Sequence, residues 1–443
     1  MIKSNLLHMK LFEPGRIGKL WLKNRIVMSA MGIGGLAETQ GRLGKRAIDY
    51  YAARAKGGVG LITTGAARVD QKIDPSGATF LGADDPAYIS GLSELADAVH
   101  DYGTKIVVQL TAGRGRLAKK ESIQKYGAVA PSPLPCFANS KVLTRELTAE
   151  EIETLVEAFG SSAKILQMAG MDGIELHAHD GYLLDQFQTP LWNHRTDQYG
   201  GTWEGRMRFP REIIAAIKKA AGEDFPLIYC FGLTHYLEGG RGVEEGLEIA
   251  RALEAAGVDA FHIDAGCYET RYWALPPPTQ PPGCMVDLAV LTKKVVKVPV
   301  TTGGRLGYPQ LAESILREGK ADFIALGRPL LADPDWPNKI REGRPGDIRP
   351  CIGCFQGCIT RIYEKKYLSC AVNPATGMER DLVIESAPKV KNVLIVGGGP
   401  AGMEAARVAA LRGHRVTLWV KGKALGGSLL PASVLILKKI LKT

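Results

Sequence analysis

The chain has 443 residues, 45% hydrophobic and 23% charged, with a formal net charge of +10. This is enough apolar material for more than one core, so two or three domains are expected, and no apolar run reaches the length of a membrane helix. Lys and Arg are scattered rather than clustered, which argues against nucleic acid and for small phosphate-bearing ligands; Met1 to His8 lacks an apolar leader core, so the chain reads as cytoplasmic.

In chain order, eight apolar, β-rich runs of strand length recur over the first three quarters: 25–28, 59–63, 105–110, 173–176, 226–230, 260–263, 298–301 and 323–326. Helical patterns lie between them at 47–56, 89–102, 149–169, 207–221, 243–256 and 309–317, with apolar residues three and four apart. Three helix-to-strand joints repeat in kind: Ala169-Gly-Met-Asp-Gly-Ile174, Ala256-Gly-Val-Asp-Ala-Phe261 and Glu318-Gly-Lys-Ala-Asp-Phe323. Each offers a glycine where a helix must end, as copies of one βα unit would. Eight such units predict an α/β chain with a (β/α)8 TIM barrel, and an open doubly wound sheet of that width would be unusual.

In such a barrel the chemistry sits at the carboxyl ends of the strands. The first run is followed by Ser29, Ala30, Met31 and Gly32, the second by Gly65 and Ala66, and the third ends in Gln109. The fourth opens into His177, His179, Asp180 and Tyr182, and two histidines two apart on a strand leave the same face. A tyrosine with pKa near 10 keeps its proton at neutral pH and can donate it in a reaction. The sixth leads through Tyr268, Tyr272 and Trp273 into a proline-rich loop, and another long loop runs from Arg114 to about Leu147; both suit lids and specificity walls. After the seventh and eighth stand Gly303-Gly304-Arg305 and Gly327-Arg328, the bare backbone and cations of a phosphate pocket.

Beyond the barrel, Cys351, Cys354, Cys358 and Cys370 crowd into one stretch, whereas Cys136, Cys230, Cys267 and Cys284 stand apart. Zinc is the plainer occupant of four thiolates, but three packed into eight residues with a distant fourth favour a [4Fe–4S] cluster. From Asn392 a strand, a glycine turn with Gly397, Gly399 and Gly402 in G-x-G-x-x-G spacing, and a helix predict the start of a dinucleotide-binding βαβ unit. Val420, followed by Lys421, stands where an acidic ribose ligand is expected, and the chain closes on an apolar, basic tail from Val434. About fifty residues fall short of a complete dinucleotide-binding domain, so this end reads as an incomplete Rossmann-like stub. The domain expectation is 1–345 for the barrel, 346–385 for the cysteine segment and 390–443 for the stub.

These residues together resemble the multidomain branch of the Old Yellow Enzyme flavoproteins, which includes 2,4-dienoyl-CoA reductase, 2-enoate reductase, trimethylamine dehydrogenase and the bile-acid-inducible NADH:flavin oxidoreductases. The likeness rests on Leu11-Phe-Glu-Pro14, Leu22-Lys-Asn-Arg-Ile26, Gly181-Tyr182-Leu-Leu-Asp-Gln-Phe187, Arg195-Thr-Asp-Gln-Tyr-Gly-Gly201 and the four cysteines, in this order. It implies FMN in the barrel, a cluster that passes it electrons, and a C-terminal region for FAD and NAD(P)H. By resemblance, Ser29 to Gly32, Ala66, Gln109, Arg305, Gly327 and Arg328 match FMN contacts and Tyr182 the proton donor. His177 and Asp180 match the pair that faces the substrate carbonyl, and Arg195 a position that meets substrate. There are three departures: Cys230 replaces an arginine beside the flavin pyrimidine ring, Asp180 replaces His or Asn, and Tyr268 replaces a His of the dienoyl-CoA reductases.

The expected function is flavin-dependent reduction, or the reverse desaturation, of the C=C of an α,β-unsaturated carbonyl such as an enoyl-CoA, enoate or steroid-like enone. In this scheme His177, with His179, polarises the carbonyl, FMN gives hydride and Tyr182 gives the proton, while Tyr268, Tyr272 and Trp273 wall the substrate. The expected partners are that small molecule, an electron donor and a further copy of the chain. Two alternatives stand beside it: amine oxidation of the trimethylamine dehydrogenase type, and a truncated, non-catalytic remnant.

Overall fold

The computed structural model describes residues 9–77 and 80–433; the tail from Val434 lies outside them. All eight predicted runs are strands: β1 Ile26–Met28, β2 Leu61–Thr63, β3 Lys105–Thr111, β4 Gly173–Ala178, β5 Leu227–Gly232, β6 Ala260–Asp264, β7 Val300–Thr302 and β8 Phe323–Leu326. Each pairs in parallel with the next, and β8 pairs with β1 through Ala325↔Val27 and Leu326↔Met28, so the sheet closes. The connecting helices are α1 Lys45–Lys56, α2 Ile89–His100, α3 Ala149–Met168, α4 Trp203–Ala221, α5 Val243–Ala255, α6 Val286–Lys293, α7 Pro309–Arg317 and α8 Arg328–Ala332. Helix α4 starts four residues earlier than its apolar pattern, because the Thr202 side chain accepts the Gly205 N–H and caps it. Helix α6 follows the proline-rich loop and has no clear apolar stripe, which is why periodicity did not reveal it.

Strand alternation sorts the barrel into a sheath and a lumen. Outward residues such as Met28, Ile62, Val108, Ile174, Leu176, Tyr229 and Phe261 pack under the helices in one large core. Inward residues Val27, Leu61, Val107, Ile228, Ala260 and Phe323 meet Ile17, Leu20 and Leu22 of a hairpin, Gly15–Ile17 with Leu20–Leu22, that closes the amino end. Burying that layer leaves only the carboxyl end open. One layer up, the lumen turns polar: Gln109 Nε2 donates to Glu175 Oε1 at 2.8 Å, and His262 Nδ1 lies 3.1 Å from Glu175 Oε2.

The cysteine segment folds back on the barrel. Asn373 Nδ2 and Thr376 Oγ1 both donate to Leu331 O, Arg54 pairs with Glu379, and Tyr367 bridges Gly34. Further on, β9 Asn392–Val396, α9 Pro400–Leu411 and β10 Arg415–Trp419 form a parallel βαβ unit in register Leu394↔Thr417. Gly402 is obligatory there, since a Cβ on it would lie 1.8 Å from Gly397 O, where the helix meets the turn. Among the described residues no helix is long and apolar enough to cross a membrane.

Candidate active site

A cavity of about 950 Å³ occupies the carboxyl end of the barrel. Ser29, Ala30, Met31, Gly32, Ala66, Gln109, His177, His179, Asp180, Tyr182, Cys230, Tyr268, Arg305, Gly327 and Arg328 all line it, so most of the residues singled out in the sequence meet in one place.

The turn after β4 builds the centre. Asp180 at φ +61° and Gly181 at φ +78° reverse the chain, which only residues tolerant of the left-handed region allow. Asp185 Oδ2 accepts the Gly181 N–H at 2.9 Å and Gln186 Nε2 donates to Gly181 O at 2.7 Å, fixing that turn. Asp185 is itself held by Arg241 Nη2 at 2.7 Å and faces His235 Nε2 at 3.2 Å, all three fully buried. The His177 ring consequently stacks 4.2 Å from His179 and 4.2 Å from Tyr182, and Tyr268 meets Tyr182 edge-on at 6.2 Å.

Burial sets the protonation states. It pushes the Tyr182 phenol up, with Arg114 opposing, so the proton is retained. It pushes His177 well down, helped by the charge on His179, and His177 is neutral. For His179 burial works against the charge, but Cys230 and the Asp264 carboxylate, 2.8 Å from Nδ1, outweigh it and raise its pKa well above the usual value. Asp180 is raised by desolvation, against the pull of His179. Among the described residues, His177 Nδ1 and Asp180 Oδ1 are buried with no hydrogen-bond partner.

At the opposite wall, Arg305 Nη1 donates to Pro278 O at 3.0 Å and also to Gln280 O, and Arg328 Nη2 donates to Pro276 O at 2.8 Å. A Cβ on Gly32 would meet nothing within 4 Å. Cys351 and Cys358 reach the cavity edge. Among the described residues no three of the four clustered sulfurs lie within 4.8 Å of one another. The turn is tight at Cys370, where a Cβ on Gly357 would sit 2.8 Å from Cys370 Cα.

Three expected substrate residues lie elsewhere. Arg195 is buried outside the cavity, where its guanidinium grips Asp197 and donates to Pro131 O at 3.0 Å and Leu147 O at 2.6 Å; it clamps two loops. Tyr272 is 52% exposed, and Trp273 stacks on Tyr236 at 4.1 Å; neither lines the cavity. Gly397, Gly399 and Gly402 belong to the separate βαβ turn. Arg114, which the sequence marked only as a loop start, is central: its Nη1 donates to Tyr182 OH at 2.7 Å.

Residues 10–347 match the sequence profile of the NADH:flavin oxidoreductase / NADH oxidase family. The chain belongs to that family. Within it, residues 392–436 also match an FAD binding domain. The chain is 45% identical over 442 residues to cinnamate reductase of Clostridium sporogenes, covering 96% of this chain and 66% of that protein. Among solved structures, 2-naphthoyl-CoA reductase in complex with 2-naphthoyl-CoA superposes with a TM-score of 0.91 at 33% identity, over 98% of this chain and 67% of that one. Histamine dehydrogenase from Rhizobium sp. 4-9 superposes with a TM-score of 0.88 at 31% identity, over 97% and 62%. This family member therefore spans about two thirds of the length of these three proteins.

Proposed function

We propose that the cavity holds FMN and that the chain reduces the C=C bond of an α,β-unsaturated carbonyl compound. The observation that carries this is Tyr182: a buried, protonated phenol against the His177 ring inside a cavity of cofactor size. The residues suit FMN: Arg305, Arg328 and bare backbone at Gly303, Gly304 and Gly327 would hold its phosphate after β7 and β8, where this barrel binds phosphate. Ser29 to Gly32, Ala66, Gln109 and Cys230 would line its ring system. When bound, FMN supplies hydride to the β carbon. Tyr182 gives its hydroxyl proton to the α carbon, and the two additions saturate the bond. Neutral His177 can donate to the carbonyl oxygen, and charged His179 adds a positive field behind it. The likeness to cinnamate reductase points to an enoate as substrate.

Cys351, Cys354, Cys358 and Cys370 would hold a [4Fe–4S] cluster at the cavity edge. Gly397, at φ +113°, and Gly399, with open space around it, would admit the pyrophosphate of FAD at the start of α9. NAD(P)H is the proposed electron source.

Likeness to histamine dehydrogenase raises amine oxidation, but the cavity carries seven Lys and Arg side chains against Glu38, Asp180 and Asp264, a poor host for an ammonium ion. The test is anaerobic: chemically reduced full-length protein is mixed with enoates and enones, and oxidised protein with amines. Flavin reoxidation by the unsaturated acids is expected; bleaching by amines without reoxidation by any enoate or enone would overturn the reading.

A further inference from the structure

Arg114 is a buried cation of the cavity that, among the described residues, is paired with no carboxylate. Only 8% of its surface is exposed, and its Cζ lies 4.5 Å from the centre of the Phe80 ring. Among the described residues its side chain is bonded to the Tyr182 and Tyr268 hydroxyls and no carboxylate is paired with it, while its Nε is buried with no partner. Asp74, the carboxylate that acts on it from a distance, uses its oxygens on the backbone N–H groups of Ser76 and Gly115. The backbone of Arg114 is fixed as well: its N–H donates to Ser76 Oγ at 3.2 Å and its carbonyl accepts from Gln186 Nε2 at 3.0 Å. Burying a guanidinium unpaired is costly, and such groups are completed by a partner charge. A guanidinium whose charge is unbalanced matches an anionic acid, with which it forms a charge-assisted hydrogen bond.

We propose that Arg114 forms the carboxylate subsite of this cavity, so that the ligand is an α,β-unsaturated acid in its free, anionic form. The Nη1 arm holds the Tyr182 hydroxyl at 2.7 Å, and the charge of the guanidinium, which no carboxylate balances, draws the acid. In such an acid the α carbon is bonded directly to the carboxylate carbon. One guanidinium that grips both the carboxylate and the phenol therefore sets the proton donor beside the carbon that receives the proton. The basic lining of the cavity, including Lys119 and Arg271, favours entry of the same anion. This inference rests on the ene-reductase reading for the chemistry but not for the binding.

The test measures binding by calorimetry to oxidised full-length holoprotein, with 3-phenylpropanoate and its neutral amide as probes. The acid is expected to bind about tenfold or more tighter than the amide, as a charge-assisted pair predicts. Arg114→Gln should erase that preference and Arg114→Lys should keep part of it, with flavin content and melting temperature recorded for both. Equal binding of acid and amide to the wild type, or an unchanged preference in Arg114→Gln, overturns the proposal. If the acid preference depends on Arg114 while no enoate reoxidises the flavin, the ene-reductase reading fails and the carboxylate subsite stands.

Discussion

The barrel and the C-terminal βαβ unit use the same local grammar, strand, glycine turn, helix and parallel strand, yet their environments differ. In the barrel, closure buries both faces of every strand; β4 and β5 are buried along their whole length. In the βαβ unit, β9 and β10 alternate between half-buried and exposed residues, with Val396 78% and Trp419 62% exposed. A parallel strand normally needs cover on both faces. The barrel provides its own cover, so it can afford a buried polar layer and a cavity in its lumen. The βαβ unit is specified by turn geometry, with Gly397 and Gly402 setting how helix and strand meet.

The largest effect separating the two regions is expected at Asp185. Its carboxylate is buried, and although desolvation opposes ionisation, Arg241 and His235 hold its pKa well below the ordinary range. Asp185→Asn leaves Arg241 short of its counter-charge and should destabilise the barrel by about 3–5 kcal/mol. Urea unfolding followed by far-UV circular dichroism would read this, while amide exchange in 392–419 should not change. The sign with pH follows from the depressed value. The carboxylate's contribution is complete above the unfolded value of about 3.9 and is lost as pH falls toward the folded one. Wild-type melting temperature should therefore drop below about pH 4, and Asp185→Asn should lose that part of the drop.

A smaller and opposite partition is expected from Gly402→Ala. The added methyl would collide with Gly397 O, costing about 1–3 kcal/mol by overpacking, and confined to the βαβ unit. Amide exchange should accelerate at 392–419, with barrel melting and the absorbance of barrel-bound flavin unchanged. A shift in barrel melting would show that the two regions are coupled.

Much of the barrel was legible in sequence because each strand is a short apolar run bounded by glycine, as at Gly170 and Gly257, and its period differs from that of the helices. The centre was legible where its residues are neighbours in the chain: His177, His179 and Tyr182 follow one strand. What sequence did not reveal depends on approach between distant segments. Arg114 meets Tyr182 from 68 residues away. Asp185, in the short helix Leu183–Phe187, meets His235 and Arg241 of the loop after β5, and the Gln109, Glu175 and His262 network spans three strands. Arg195 was placed at the substrate by resemblance, but its spacing to Asp197 forms a local clamp instead.

The most direct measurement is stopped-flow reoxidation of anaerobically reduced protein by an unsaturated acid, comparing wild type with Tyr182→Phe. The variant should keep its flavin spectrum and its capacity to be reduced, while reoxidation slows by about 10²–10⁴-fold, the share a positioned acid contributes. Reoxidation of Tyr182→Phe at the wild-type rate would contradict the assignment of Tyr182 as proton donor.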